Sequence, residues 1–306
     1  MSWFAFAGAL QLGLIYGLVA IGVLLSFRML NYPDLTADGS FPLGAAVSAS
    51  VILNGGDPWI ALVAGAAAGA GAGLLTAFLS ERLRILNLLA GILSMTALYS
   101  INIRVMGRPN LPLLGEVTVV DSVRRFGLDT PAAKFLIAAV ICGVCIVLVA
   151  AFLASRYGLS LRAAGTNPKM ATAVGVPCPQ RVFVGLAMSN ALCGLAGAVF
   201  AQLYGFADVS LGVGTIVIGL AAVILGEAFV RSLSPVAAVV ACVAGAVAYR
   251  VTVSLALETE FLGLTTSDLN AITAVMVTLA FLFSGISRRM RLRVARAPRV
   301  ALDGES

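Results

Sequence analysis

Two segments of this chain carry a carboxylate and a hydroxyl at the same spacing. Asn31–Ala46 reads NYPDLTADGSFPLGAA and Gly205–Ala222 reads GFADVSLGVGTIVIGLAA. Asp34 aligns with Asp208 and Thr36 with Ser210. After a one-residue gap, Gly39-Ser40 aligns with Gly214-Thr215, and Gly44 with Gly219. Such groups can hold a polar solute, and a carboxylate inside an apolar segment is a functional-site hypothesis by default. They can equally cap a helix, because Asp, Ser and Thr oxygens accept from free backbone N–H groups at an N-terminus. For Asp38 and Asp208, capping outranks direct contact with a solute. Hydrolytic and redox chemistry lack parts. There is no histidine, hence no His-based metal site and no Ser-His-Asp triad. No G-x-x-x-x-G-K-[ST] occurs, so the chain does not itself grip ATP in a P-loop. Cys142 and Cys145 form a C-x-x-C inside an apolar stretch, where packing is the simpler role.

The elements that must position these loops are apolar helices. The chain is 60% hydrophobic and 11% charged, with mean hydropathy +1.02. A soluble domain is about 25% charged. Runs of about 20 apolar residues, long enough to span a bilayer, recur throughout. The pattern predicts an all-α polytopic membrane protein with about nine transmembrane helices, at 3–29, 41–55, 58–80, 86–106, 131–155, 182–204, 213–230, 235–257 and 269–286. The first is read as a span and not as a removed signal peptide, since MSWFAFAGALQLGLIYG has no basic n-region. The chain reads as one transmembrane domain over 1–306. It comprises an N-terminal half (1–156), a long internal loop (157–181), a C-terminal half (182–286) and a basic tail (287–306). Gly65, Gly69 and Gly73, and Gly13 with Gly17, are small-xxx-small steps that let helix backbones approach closely.

Lys and Arg in the loops set the expected orientation. With the C-terminus in the cytoplasm, fourteen of the 20 basic residues are inside: Arg28, Arg82, Arg84, Arg156, Arg162, Lys169, Arg181, Arg231 and six in the tail. The N-terminus is then outside, as is the loop Gly107–Thr130. The net charge of +6 suits a juxtamembrane tail facing anionic lipid and needs no nucleic acid. The two similar loops would face opposite ways, which makes them an inverted internal repeat of the kind found in several transporter folds. Pro33 disfavours helix at Tyr32, and Gly39, Gly212 and Gly214 permit irregular backbone. Both loops are expected to dip inward, so that the spans after them start within the membrane and present free N–H groups to a solute path.

The longest internal loop, RYGLSLRAAGTNPKMATAVGVPCPQR, predicts a short helix over Pro168–Val174. Asn167 would cap it, with Pro168 at its first position and Gly175 just past its end. A capped surface helix could receive a partner protein or simply be part of a basic loop; physics alone leaves the two level.

The residues Leu161-Arg162-Ala163-Ala164-Gly165, Asn167-Pro168, Ala171 and Gly175-Val176 resemble a segment of the form LRAxGxNPxxAxxxGI. That segment belongs to the permeases of the branched-chain amino-acid and sugar class of ABC importers. The resemblance covers nearly the whole chain, including NYPDLTADGSFPLGAA and GLAGAVFAQLYG. The wording DLTADGSF is nearest a subgroup for tryptophan, tyrosine or related molecules. It departs from the leucine-type permeases, which carry Asn-Phe-Ala-His-Gly there.

The resemblance implies a bacterial cytoplasmic-membrane subunit that imports a small solute, most readily an aromatic or branched-chain amino acid. It implies cytoplasmic ATP-binding subunits, an extracytoplasmic binding protein docking on Gly107–Thr130, and a second permease subunit. ATP is held by the partner, and no cofactor is expected here. Arg162, Gly165, Asn167, Pro168, Lys169 and Met170 would couple to the ATPase. Tyr32, Asp34, Thr36, Ser40, Asp208, Ser210 and Thr215 would line the path. An ion-coupled secondary transporter is the alternative, with Glu227, Arg250 and Arg104 as its ionisable groups; Arg250 could instead pair with Glu258 or Glu260.

Overall fold

The computed structural model describes residues 3–124, 129–229 and 234–258, together with Thr278. Apart from Thr278, the ninth expected span (269–286) lies outside the described residues, as do the tail, Arg231 and Glu260. The described chain is a bundle of helices. Seven are long and apolar enough to cross a membrane, and an eighth apolar helix, Ala37–Leu53, is shorter.

Helix α1 (Trp3–Val23) continues as a π-helical stretch, Leu24–Met29, and forms the central rod. Its apolar residues from Ile15 to Leu25 are almost wholly buried. Helix α2 (Ala37–Leu53) follows an irregular segment. Then come α3 (Pro58–Glu81), α4 (Asn87–Met106), a short strand β1 (Asn110–Pro112) and α5 (Val119–Arg124). Helix α6 (Thr130–Ala154) leads to two short helices, α7 (Arg156–Thr166) and α8 (Pro168–Ala173). The chain returns through α9 (Cys178–Tyr204), strand β2 (Phe206–Asp208), a 3-10 turn (Val209–Gly212), α10 (Thr215–Phe229) and α11 (Pro235–Glu258). Strands β1 and β2 form an antiparallel ribbon with Asn110 opposite Asp208. The ribbon marks one end of the bundle, and α7 and α8 mark the other.

Glycine sets the tightest packing. A Cβ on Gly65, Gly69 or Gly73 of α3 would lie 2.7, 2.2 and 2.2 Å from atoms of α9, so these steps bring two backbones into contact. On α1, Gly13 packs against the Val247 backbone of α11, and Gly17 against the Val243 side chain. Cys142 and Cys145 are buried in the core around α1, as packing residues.

Polar side chains inside α9 complete the frame. At the ribbon end, the Gln202 amide donates to the Ser48 hydroxyl (3.0 Å) and the Pro58 carbonyl (2.9 Å), and its oxygen accepts from the Val119 N–H (3.1 Å). One side chain thus joins α2, α3, α5 and α9. The second expected span begins earlier than hydropathy placed it, at Ala37 instead of 41. Asp38, Gly39 and Ser40 depress local hydropathy, yet all three pack or hydrogen-bond inside the bundle and belong to the helix.

Candidate functional site

The chain leaves the π-helical stretch through Asn31, whose φ of 53° is one that Asn tolerates better than most residues. Tyr32 is buried beneath it. The Asp34 carboxylate then accepts from the Thr36 N–H (2.9 Å) and from the Asn190 amide (2.7 Å). The Ser40 hydroxyl donates to the Asn190 oxygen (2.7 Å). The Thr36 and Thr76 hydroxyls lie 2.7 Å apart, and Thr76 is 2.7 Å from Ser94. Asp34, Thr36, Ser40, Thr76, Ser94 and Asn190 are all 0–1% exposed, so they form a closed polar network linking α2, α3, α4 and α9.

This network lies half-way along the bundle. Phe41, in the second turn of α2, stacks on Tyr16 in the middle of the α1 rod, with centroids 5.8 Å apart. Asn190 sits in the middle of α9, and Asn102 of α4 donates to the Gly39 carbonyl (3.3 Å). Helix α2 therefore starts at mid-depth.

Helix α10 starts beside it. Asp208 makes the same local turn as Asp34, accepting from the Ser210 N–H (2.7 Å), and also from the Asn110 amide (2.8 Å). Partial burial opposes its charge, but hydrogen bonds from the Ser210 hydroxyl, Asn110 and the Ser210 N–H outweigh this and hold the carboxyl below its usual range. Gly212 then presses against the Asp38 carbonyl, where a Cβ would approach to 1.8 Å. That carbonyl lacks its usual helical donor because Pro42 stands four residues on. The Asp38 carboxylate accepts from the Ile216 N–H (2.8 Å) and the Gly214 N–H (3.4 Å), and the Thr215 hydroxyl lies 2.7 Å away. Asp38 therefore caps α10, a helix 176 to 178 residues away in sequence, while sitting in the first turn of α2. Two helix N-termini converge on one carboxylate, the charge their dipoles favour.

The sequence-derived path residues thus divide. Tyr32, Asp34, Thr36, Ser40 and Thr215 are buried, whereas Ser210 is exposed and Asp208 half-buried at the ribbon end. Ser210→Cys should react quickly with a membrane-impermeant thiol reagent. Thr36→Cys should be protected in this conformation and react only in a state that parts α2 from α9. Fast labelling of Thr36→Cys in every state would contradict this packing. The lowered Asp208 pKa carries its own expectation. A depressed carboxyl stabilises its fold above the unfolded value and loses that contribution as pH falls through the folded one. Hydrogen exchange in the ribbon should therefore quicken only below about pH 4, and Asp208→Asn should remove that dependence.

At the other end, the Asn167 side chain accepts from the Met170 N–H (3.1 Å) and Pro168 opens α8. The helix ends at Ala173, one residue before the expected Val174. The preceding residues are a second helix, α7, and not the expected loop. Ser155 caps it through the Gly158 N–H (3.2 Å), and Gly158, Leu161, Ala164 and Gly165 form its buried face. Gly165 lies on the end of the π-helical stretch, where a Cβ would meet the Met29 carbonyl oxygen at 2.1 Å. Asn167, Pro168, Lys169 and Met170 face outward, and Arg162 is half-buried.

Two of the ionisable groups expected of an ion-coupled transporter, Glu227 and Arg250, have partners. Glu227 of α10 pairs with Arg28 of the π-helical stretch. The Arg250 guanidinium lies 3.9 Å from the Tyr16 ring centre, a cation–π contact. Among the described residues no three possible metal ligands cluster.

A family model described as the branched-chain amino acid transport system permease component matches residues 5–286. The chain belongs to this permease family. The permease is 34% identical over 272 residues to the tyrosine transport system permease protein of Clostridioides difficile, covering 89% of this chain and 88% of that one. It is 32% identical over 186 residues to the nucleoside ABC transporter permease protein NupC of Lactococcus lactis, covering 56% and 57%. The fold is similar to PsaBC from Streptococcus pneumoniae, solved in complex with Fab. The TM-score there is 0.52, at 15% identity over 93% of this chain and 91% of that one. The permease is thus a multi-pass membrane subunit of an ABC-type transport system for a small solute.

Proposed function

We propose that this permease forms the solute path of an ATP-driven importer, with an aromatic or branched-chain amino acid as its substrate. The observation that carries the reading is the meeting of α2 and α10 at Asp38. Helix α2 has 17 residues and α10 has 15 after its 3-10 turn; each follows an Asp-x-Ser/Thr turn, and they run to opposite ends from mid-depth. This is the arrangement expected of an inverted repeat built around a central path. The α7–α8 end faces the cytoplasm and the ribbon end faces outside. Asp208 and Ser210 then stand at the outer approach. Tyr32, Asp34, Thr36, Ser40 and Thr215 become accessible as α2 and α9 part.

ATP is bound by cytoplasmic partner subunits, which dock on Asn167, Pro168, Lys169 and Met170, with Arg162 at the edge. Gly165 transmits their motion by resting on the π-helical stretch. An extracytoplasmic binding protein delivers solute to the Gly107–Thr130 loop, and a second permease subunit completes the pore. The substrate class rests on the Clostridioides difficile relative, which the permease matches over most of both chains. The test is uptake of labelled tyrosine and leucine by cells carrying the complex, with the partner ATPase intact or inactivated. Uptake that needs hydrolysis supports the reading. Uptake that persists without hydrolysis and collapses with the proton gradient overturns it.

A further inference from the structure

The Arg28–Glu227 pair occupies a distinctive place in the bundle. Arg28 stands on the π-helical stretch Leu24–Met29, and Glu227 near the end of α10. π-helical turns are rare and are found frequently at functional sites. This one ends in wide backbone turns: the Leu30 N–H donates to the Leu25 carbonyl, and the Tyr32 N–H to the Ser26 carbonyl. On it rests Gly165, whose Cβ position lies 2.1 Å from the Met29 carbonyl oxygen. Helix α10 is therefore held at both ends, by Asp38 at its start and by Arg28 near its finish. Between them Gly219 packs on Val19 and Val23 of α1.

Stability alone does not account for the pair. The two side chains are 63% and 43% exposed, and exposed ion pairs contribute little to folding. Position is what sets it apart. It joins the element on which Gly165 rests to the helix whose start meets α2.

We infer that the Arg28–Glu227 ion pair is the joint through which movement of α7 and α8 is passed to α10. This rests on the ATP-driven reading above. Arg28 and Glu227 are positioning residues, acting through α10 without touching solute or nucleotide. A push on α7 moves the π-helical stretch by way of Gly165; the ion pair carries α10 with it, and α10 carries its Asp38 contact.

The test uses the complex purified from its native membrane and placed in lipid vesicles, with Ala173→Cys and Val213→Cys spin-labelled in a Cys178→Ala chain. Ala173 and Val213 are exposed, and the four remaining cysteines are buried. The distance between the labels is measured without nucleotide and with ATP and vanadate. The parent should show a shift on trapping. Arg28→Glu and Glu227→Arg should each lose the shift while ATP hydrolysis continues, and the double reversal should restore it. A shift that survives either single reversal, or that the double reversal fails to restore, overturns the inference and leaves the ATP-driven reading intact. A parent that shows neither hydrolysis nor a shift overturns that reading and the inference with it.

Discussion

Replacing Gly165 with Leu should abolish ATP-dependent transport while the chain still inserts and folds as a bundle. A Cβ alone would sit 2.1 Å from the Met29 carbonyl oxygen and 2.8 Å from Leu30 backbone atoms. Backbone cannot yield as a side-chain tip can, so α7 must lift. Overpacking of this kind costs about 1–3 kcal/mol. Set against the docking of α7, that is a loss of about five- to 150-fold in the docked population. Gly165→Ala should already impair transport. Lys169→Ala and Met170→Ala, which change only outward-facing groups, should leave the permease fold intact and weaken retention of the ATPase during purification. Uptake measured beside membrane abundance checks both, and full uptake by Gly165→Leu would contradict the role given to α7.

The second large effect is expected at Asp38. Asp38→Ala removes the acceptor for the Ile216 and Gly214 N–H groups and the Thr215 hydroxyl inside the bundle. Buried donors left unpaired cost about 1–3 kcal/mol each. The Thr215 hydroxyl keeps the Gly212 carbonyl at 2.7 Å, so the two unpaired N–H groups set the combined destabilisation, about 2–6 kcal/mol. The thermal unfolding midpoint in detergent should fall, and transport should be lost with it, because α10 loses its fixed start. Asp38→Asn keeps one accepting oxygen and should fall between the two. An unchanged midpoint in Asp38→Ala would mean that this cap does not hold α10. Asn190→Leu should act similarly on the other side of the network, since it leaves Asp34 with only its local turn.

Much of this was legible in the sequence. Apolar runs placed the long helices within a few residues, because helix length and hydropathy are local properties. The Asn167-Pro168 start of α8 was legible for the same reason. The two Asp-x-Ser/Thr turns were visible as a spacing, and both aspartates accept from the N–H two residues on. The partner of Asp38 was not visible. Sequence offers its own helix as the nearest capping target, and the donors it meets come from α10. Helix α7 gives little helical signal because its buried face is Gly158, Leu161, Ala164 and Gly165, a narrow stripe of mostly small residues beside its basic ones. The β1–β2 ribbon depends on Asn110 meeting Asp208 across 98 residues, for which three-residue strands give no signal. Asn190 and Gln202 do carry a signal in the sequence: each is an amide inside an apolar run, where a polar group must find a partner.

If this chain is the membrane subunit of an ATP-driven complex, it should leave the membrane with its ATPase. The most direct test is purification of the tagged full-length chain from its native membrane, with mass spectrometry of what accompanies it. A stoichiometric ATP-binding subunit should accompany it, with or without a solute-binding protein, and that subunit should be lost from the Met170→Ala chain. A stable oligomer of the chain alone, active in uptake without any ATPase, would contradict the ATP-driven reading.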